Sequence, residues 1–231
     1  MTNKSASEIG GGGSWLKTLG RPAQLWSSIR AYVGARRRAH RAPIVDSAGL
    51  RQFLDTRASF VAQMSLYGYL RARAGSRYPE LFQDDPFVAS INVAKWQLWL
   101  ACLSDIAVYA GGYLARKAPA EAPRIAPMMQ RIVDEILDAT GVPEEAGPDF
   151  VASAQQVRAR LALIDWTSIA DDASAFTESP PALVRWAPIV DDLKKLDEPI
   201  VLNSVRFRWQ EVRRQFRGLL DAAAILGLDR L

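Results

Sequence analysis

Histidine is almost missing from this 231-residue chain, and the one present, His40, sits in an Arg-rich stretch near the start. Ser–His and Cys–His catalysis both need an imidazole held by a folded scaffold. Zinc hydrolase motifs need two histidines, and ferritin-like di-iron sites need a Glu-x-x-His pair on each of two helices, so both are excluded. Cysteine is equally scarce. Cys102 stands alone in an apolar run, so the chain can form neither an internal disulfide nor a cysteine-based metal site. A reducing cytoplasm fits that usage. No G-x-S-x-G elbow, phosphate-binding G-x-x-x-x-G-K loop or G-x-G-x-x-G fingerprint occurs. The reading therefore expects no cofactor and no metal, and leans against an enzyme.

Acidic residues are missing from one long segment. None occurs between Glu8 and Asp46, where Lys17, Arg21, Arg30, Arg36, Arg37, Arg38 and Arg41 gather. Residues 1–45 hold eight basic residues and one acid, whereas the rest holds 21 basic and 24 acidic residues. The high pI belongs to this arm and not to the body that follows. A uniformly basic nucleic-acid-binding domain has a different profile.

Period-2 strand patterns and solenoid repeats are also lacking. Apolar residues recur instead at three- and four-residue steps. The expected fold is all-α: a single bundle of about six helices with a long apolar central helix, preceded by a basic N-terminal arm. Residues 1–14 read as a flexible Gly-rich leader, 15–45 as a basic amphipathic arm, and 46–231 as the helical domain. In the arm, Pro22 suits the first turn of a helix, and Leu25, Trp26, Ile29, Tyr32 and Val33 share one face. The composition of residues 15–41 overlaps that of an organellar presequence, but the polar start with Glu8 favours a retained arm.

In the body, helices are expected from Asp46 or Ser47 to Ala74, from Asp85–Pro86 to about Arg116, from Pro123 to Ala139, and from Asp149 to Trp166. Ser179–Pro180 starts another that Pro188 kinks or splits, and Glu198–Pro199 opens a last one reaching about Leu226. From Phe87 to Ala115 the only charges are Lys95 and Asp105. The uninterrupted run between them is far short of the roughly 20 residues that span a bilayer, so a buried central helix is the better reading.

Candidate chemistry is thin. The carboxylate groups Asp134/Glu135/Asp138, Asp84/Asp85, Asp171/Asp172 and Asp191/Asp192 read as solvated faces or helix caps. Arg57, Lys95 and Asp105 interrupt apolar faces, and an Arg57–Asp105 ion pair would satisfy two buried charges. These three form a candidate buried charge cluster or pocket. In the last helix, Val205, Trp209, Val212, Phe216 and Leu219 form a seam, and Arg206, Arg208, Arg213, Arg214 and Arg217 form a second basic face.

The function expected is a non-enzymatic helical scaffold or adaptor. It would associate peripherally with an anionic membrane or an acidic protein partner through Trp15, Lys17, Arg21, Trp26, Ile29, Arg30, Tyr32, Arg36, Arg37, Arg38 and Arg41. Nucleic acid ranks behind these partners, and the sequence leaves the oligomeric state open. Arg strongly outnumbers Lys, which suggests a GC-rich bacterial genome, with the protein in the cytoplasm at the inner face of the membrane. The alternative is a small-molecule hydrolase, esterase-like or carboxylate- and metal-dependent, with a pocket inside the bundle.

Overall fold

The structure is a computed structural model; it describes residues 42–227. The leader and all eleven arm positions named above lie outside those residues. The described part is an all-α bundle of seven α-helices with one long apolar helix inside it. Among the described residues no strand forms.

Helix α1 spans Ser47–Ala74 and is capped by Asp46, whose carboxylate accepts from Gly49 N at 2.7 Å. It ends at Gly75, whose φ of 54° favours glycine. A 3₁₀ segment, Gly75–Gln83, leads to α2, Asp85–Lys117. Its cap is Asp84 and not the expected Asp85: the Asp84 side chain accepts from Phe87 N at 3.1 Å, and Pro86 then falls in the first helical turn. Of the most apolar 18-residue window of α2, 89% is buried within the bundle. From Ala94 to Ala115 almost every residue of α2 is buried, so no polar face is left over that stretch, while its first turn and Lys117 are exposed.

Helix α3 covers Ala122–Thr140, and α4 covers Phe150–Leu163. Here the expectation ran three residues too long, because Ile164 turns extended and Asp165 accepts from Thr167 N in a side-chain turn. Helix α5 is Ser179–Trp186. Pro188 splits it from α6, Asp191–Leu219. Glu198–Pro199 does not open the last helix. Pro199 lies inside α6 on its exposed side, where water can satisfy the carbonyl that the ring leaves without a donor.

Helix α6 stops at Leu219 because its end is used elsewhere. Ile44 N donates to Leu219 O at 2.7 Å, and Asp221 N donates to Ile44 O at 3.0 Å. Asp221 then caps α7, Ala222–Leu226. The expected single last helix is thus two, which gives seven α-helices where about six were expected.

Helices α1 and α6 run antiparallel, with Phe53 against Phe216 at one end and Tyr69 and Arg73 on Asp197 at the other. The core centres on Trp96, Trp99, Tyr109, Trp209 and Phe216, all buried. Gly111 and Gly112 let the 164–176 segment lie directly on α2. A Cβ on Gly111 would meet Trp166 at 2.3 Å, and one on Gly112 would meet Ile169 at 2.4 Å.

Candidate functional site

Asp105 sits on the buried face of α2 with no exposed surface. A carboxylate there needs partners, and it has four donors. Oδ2 accepts from Ser179 Oγ at 2.6 Å and from Ser179 N at 2.8 Å. Oδ1 accepts from Glu178 N at 3.1 Å and from Arg160 Nη1 at 2.8 Å. The two backbone donors belong to the first turn of α5, which its own side chains leave uncapped. Asp105 therefore caps α5 from another helix and offsets the positive end of its dipole. Arg160 continues outward from the carboxylate to Ala175 O and Thr177 Oγ1. Trp209 Nε1 donates to Ser179 Oγ at 2.9 Å, which ties α6 into the same node.

The expected partner of Asp105 was Arg57; the partner present is Arg160. Arg57 is buried on α1, with its guanidinium 5.1 Å from the Phe53 ring centre. Lys95 is buried near the start of α2, 3.6 Å from Glu145 and 3.3 Å from Asn92 Oδ1. Arg160 thus holds Asp105, Glu145 lies beside Lys95, and the Phe53 ring lies beside Arg57. Burial pushes the Asp105 carboxyl above the usual carboxylate range, against the pull of Arg160 and Ser179. Burial likewise lowers the Lys95 ammonium, with Glu145 opposing. The Cys102 thiol, close to the same node, is raised by burial and then by the Asp105 charge.

A serine hydroxyl on a carboxylate has the form of a nucleophile beside a base. This pair cannot use it. Ser179 has no exposed surface, and both of its oxygen's interactions are spent inside the core, toward Asp105 and Trp209. An open groove of about 550 Å³ does exist elsewhere, between the start of α1, the first half of α3, and α7. Its wall includes Arg124, Arg131, Met128 and Ile225, and none of Arg57, Lys95 or Asp105.

No family model, curated protein or solved structure matches this chain.

The carboxylate groups have structural employment. Arg158 clamps Asp134 at 2.7 Å and Asp138 at 3.1 Å. Asp171 accepts from Tyr109 at 2.7 Å and from Arg217 at 3.0 Å, with Arg116 at 3.9 Å. Asp172 closes a turn on Ser174 N. Among the described residues no cluster with metal-ligating composition forms.

The second basic face divides. Arg213 and Arg217 turn to Asp171, and Arg208 lies against Gly68 of α1, half-buried. Arg206 and Arg214 face solvent. The seam beneath them is buried at Val205, Trp209, Val212 and Phe216, with Leu219 partly covered.

Both ends of the bundle carry charge of both signs. The end away from residue 42 carries Glu80, Asp84, Asp85, Glu144, Asp149, Asp191 and Asp192 beside Arg71, Arg73, Arg77, Lys194 and Lys195. The end where residue 42 enters is mixed, with Arg116, Lys117, Arg124, Arg213 and Arg217 among Asp46, Glu121, Asp165, Asp171, Asp172 and Asp221.

Sequence reasoning missed Arg160 and Ser179 because neither interrupts a long apolar run. The expectation that Ser179 caps its own helix is corrected here: Glu178 stands at the cap position, and the Ser179 hydroxyl is turned to Asp105, which supplies the cap instead.

Proposed function

We propose that the protein is a non-catalytic helical scaffold held at an anionic membrane surface by its basic arm. The observation that carries this reading is where the charge lies. Residues 1–45 hold eight basic residues and one acid, the rest of the chain is net acidic, and the chain enters the body at an end of mixed charge, opposite the end that carries Glu80, Asp84, Asp85, Asp191 and Asp192. A body docked arm-end first keeps those carboxylates away from lipid phosphate. Each basic residue near such a surface contributes about 1 kcal/mol, so seven of them with interleaved aromatics suffice for reversible binding. The interior supports a scaffold, since the Asp105 carboxylate, with no exposed surface, is committed to capping a helix. The hydrolase alternative has no comparable support, because Ser179 and Asp105 are closed to substrate.

The test is flotation of the full chain and of a chain lacking residues 1–41, on phosphatidylglycerol and on phosphatidylcholine vesicles. The full chain should float with the anionic vesicles only, and less as salt rises. Equal flotation of both forms, or none by either, would remove the reading. Binding of the full chain to an acidic peptide resin but to no vesicle would move the arm's partner to protein.

A further inference from the structure

Helix α6 has two apolar faces. Val201, Val205, Trp209, Val212 and Phe216 point into the bundle. Leu193, Leu196, Ile200 and Phe207 point away from it, about 150° round the axis at 3.6 residues per turn. Leu196, Ile200 and Phe207 are 73%, 73% and 72% exposed. Ten large apolar side chains are exposed among the described residues, and five of them are this stripe and the adjoining Val190. Exposure at single sites is ordinary, whereas a concentration on one stripe marks a contact surface.

The spacing is that of a coiled-coil seam. Leu193, Leu196, Ile200 and Phe207 follow steps of three, four and seven, and Asn203 takes the intervening core position. A polar residue at one such position fixes register in paired helices.

The charges choose the occupant. Near its start the solvent side of α6 carries Asp192, since Asp197 is turned to Tyr69 and Arg73 of α1. Further along, the solvent side carries Arg206 and Arg214 beside Glu211, since Arg213 and Arg217 turn to Asp171 and Arg208 lies against α1. A parallel second copy would set acid on acid and arginine on arginine. An antiparallel copy sets the acidic part of each helix beside the basic part of the other.

We infer that the outer stripe of α6 pairs antiparallel with the same stripe of a second copy of this chain, about a two-fold axis at Ile200. In that register Leu193 of one copy faces Phe207 of the other, and Asp192 lies beside Arg206. The contact is isologous, so it closes as a dimer. It is independent of the arm.

Sedimentation equilibrium of the full chain without lipid tests it. Wild type should sediment as a dimer, more weakly as salt rises. Ile200→Glu should weaken the dimer by about tenfold or more, enough to read as a monomer at the same concentration. Leu163→Glu, at an equally exposed site outside the stripe, should leave the mass unchanged. Arg206→Asp should weaken the dimer, and adding Asp192→Arg should restore it. For orientation, Leu193→Cys and Phe207→Cys chains should cross-link when mixed and far less when oxidised separately. A wild-type monomer at every concentration would overturn the inference, as would an Ile200→Glu dimer. If Ile200→Glu lowered vesicle flotation of a monomeric protein, the stripe would belong to lipid instead.

Discussion

The two apolar faces of α6 both set large apolar side chains at helical spacing, yet one is buried and the other is not. On the inner face every side chain is matched by another element: Phe216 by Phe53 and Tyr109, and Trp209 by Phe176 and the Ser179 hydroxyl. On the outer face Leu196, Ile200 and Phe207 have no such cover among the described residues. Apolar periodicity therefore reports that a face is made for contact. Whether the contact is internal depends on what the rest of the chain supplies.

Substitutions on the two sides measure that difference. Trp209→Ala should have the largest effect, about 4 kcal/mol, because it empties a large core volume and removes the donor to Ser179. Equilibrium urea unfolding reads it directly, and a loss under 1 kcal/mol would put the inner seam on the same footing as the outer. Asp105→Ala should cost about 3 kcal/mol, since Arg160 and the first donors of α5 lose their shared acceptor. Arg160→Ala alone should cost less, because Ser179 and Glu178 keep the carboxylate.

Gly111→Ala should cost about 2 kcal/mol by forcing Trp166 off α2, although alanine is the better helix former. Lys95→Met sharpens the comparison through pH. Burial lowers the Lys95 pKa in the folded chain, so the folded state holds fewer protons than the unfolded state between that value and the ordinary lysine value. Stability from this group rises as pH rises through that interval. Wild type should thus gain on Lys95→Met between those limits, read as a narrowing gap between their urea midpoints. The smallest effect belongs to the outer face: Phe207→Ser in dilute protein should change stability by no more than about 0.5 kcal/mol.

Helix identity was legible wherever one element decided it. The long run around Trp96–Leu103 announced a buried helix, and Gly75 and Gly141 marked where α1 and α3 end. Choices between neighbouring residues were not legible. Asp84 and Asp85 are equally good caps until Pro86 is placed in the turn. The partner of Asp105 was hidden for a different reason. Arg57 and Arg160 are both basic residues on helices that pack near α2, and only the rotation of α4 about its axis brings Arg160 within reach.

The outer stripe of α6 was hidden by Pro199. Taken as a helix start, it cuts Leu193 and Leu196 from Ile200 and Phe207, and the heptad disappears. Inside the helix it costs one backbone bond on a solvated face, and the four residues align. The arm's residues, from Trp15 to Arg41, remain a matter for the flotation experiment.

The pair of backbone bonds at Ile44 has a mechanical consequence. If residues before it are held on a surface, any tug on the body arrives at Ile44. From there it passes through Leu219 O and Asp221 N into the last turn of α6. The same load also runs along the chain through Val45 and Asp46 into α1, so the one residue Ile44, itself buried, couples whatever precedes it to both the first long helix and the last.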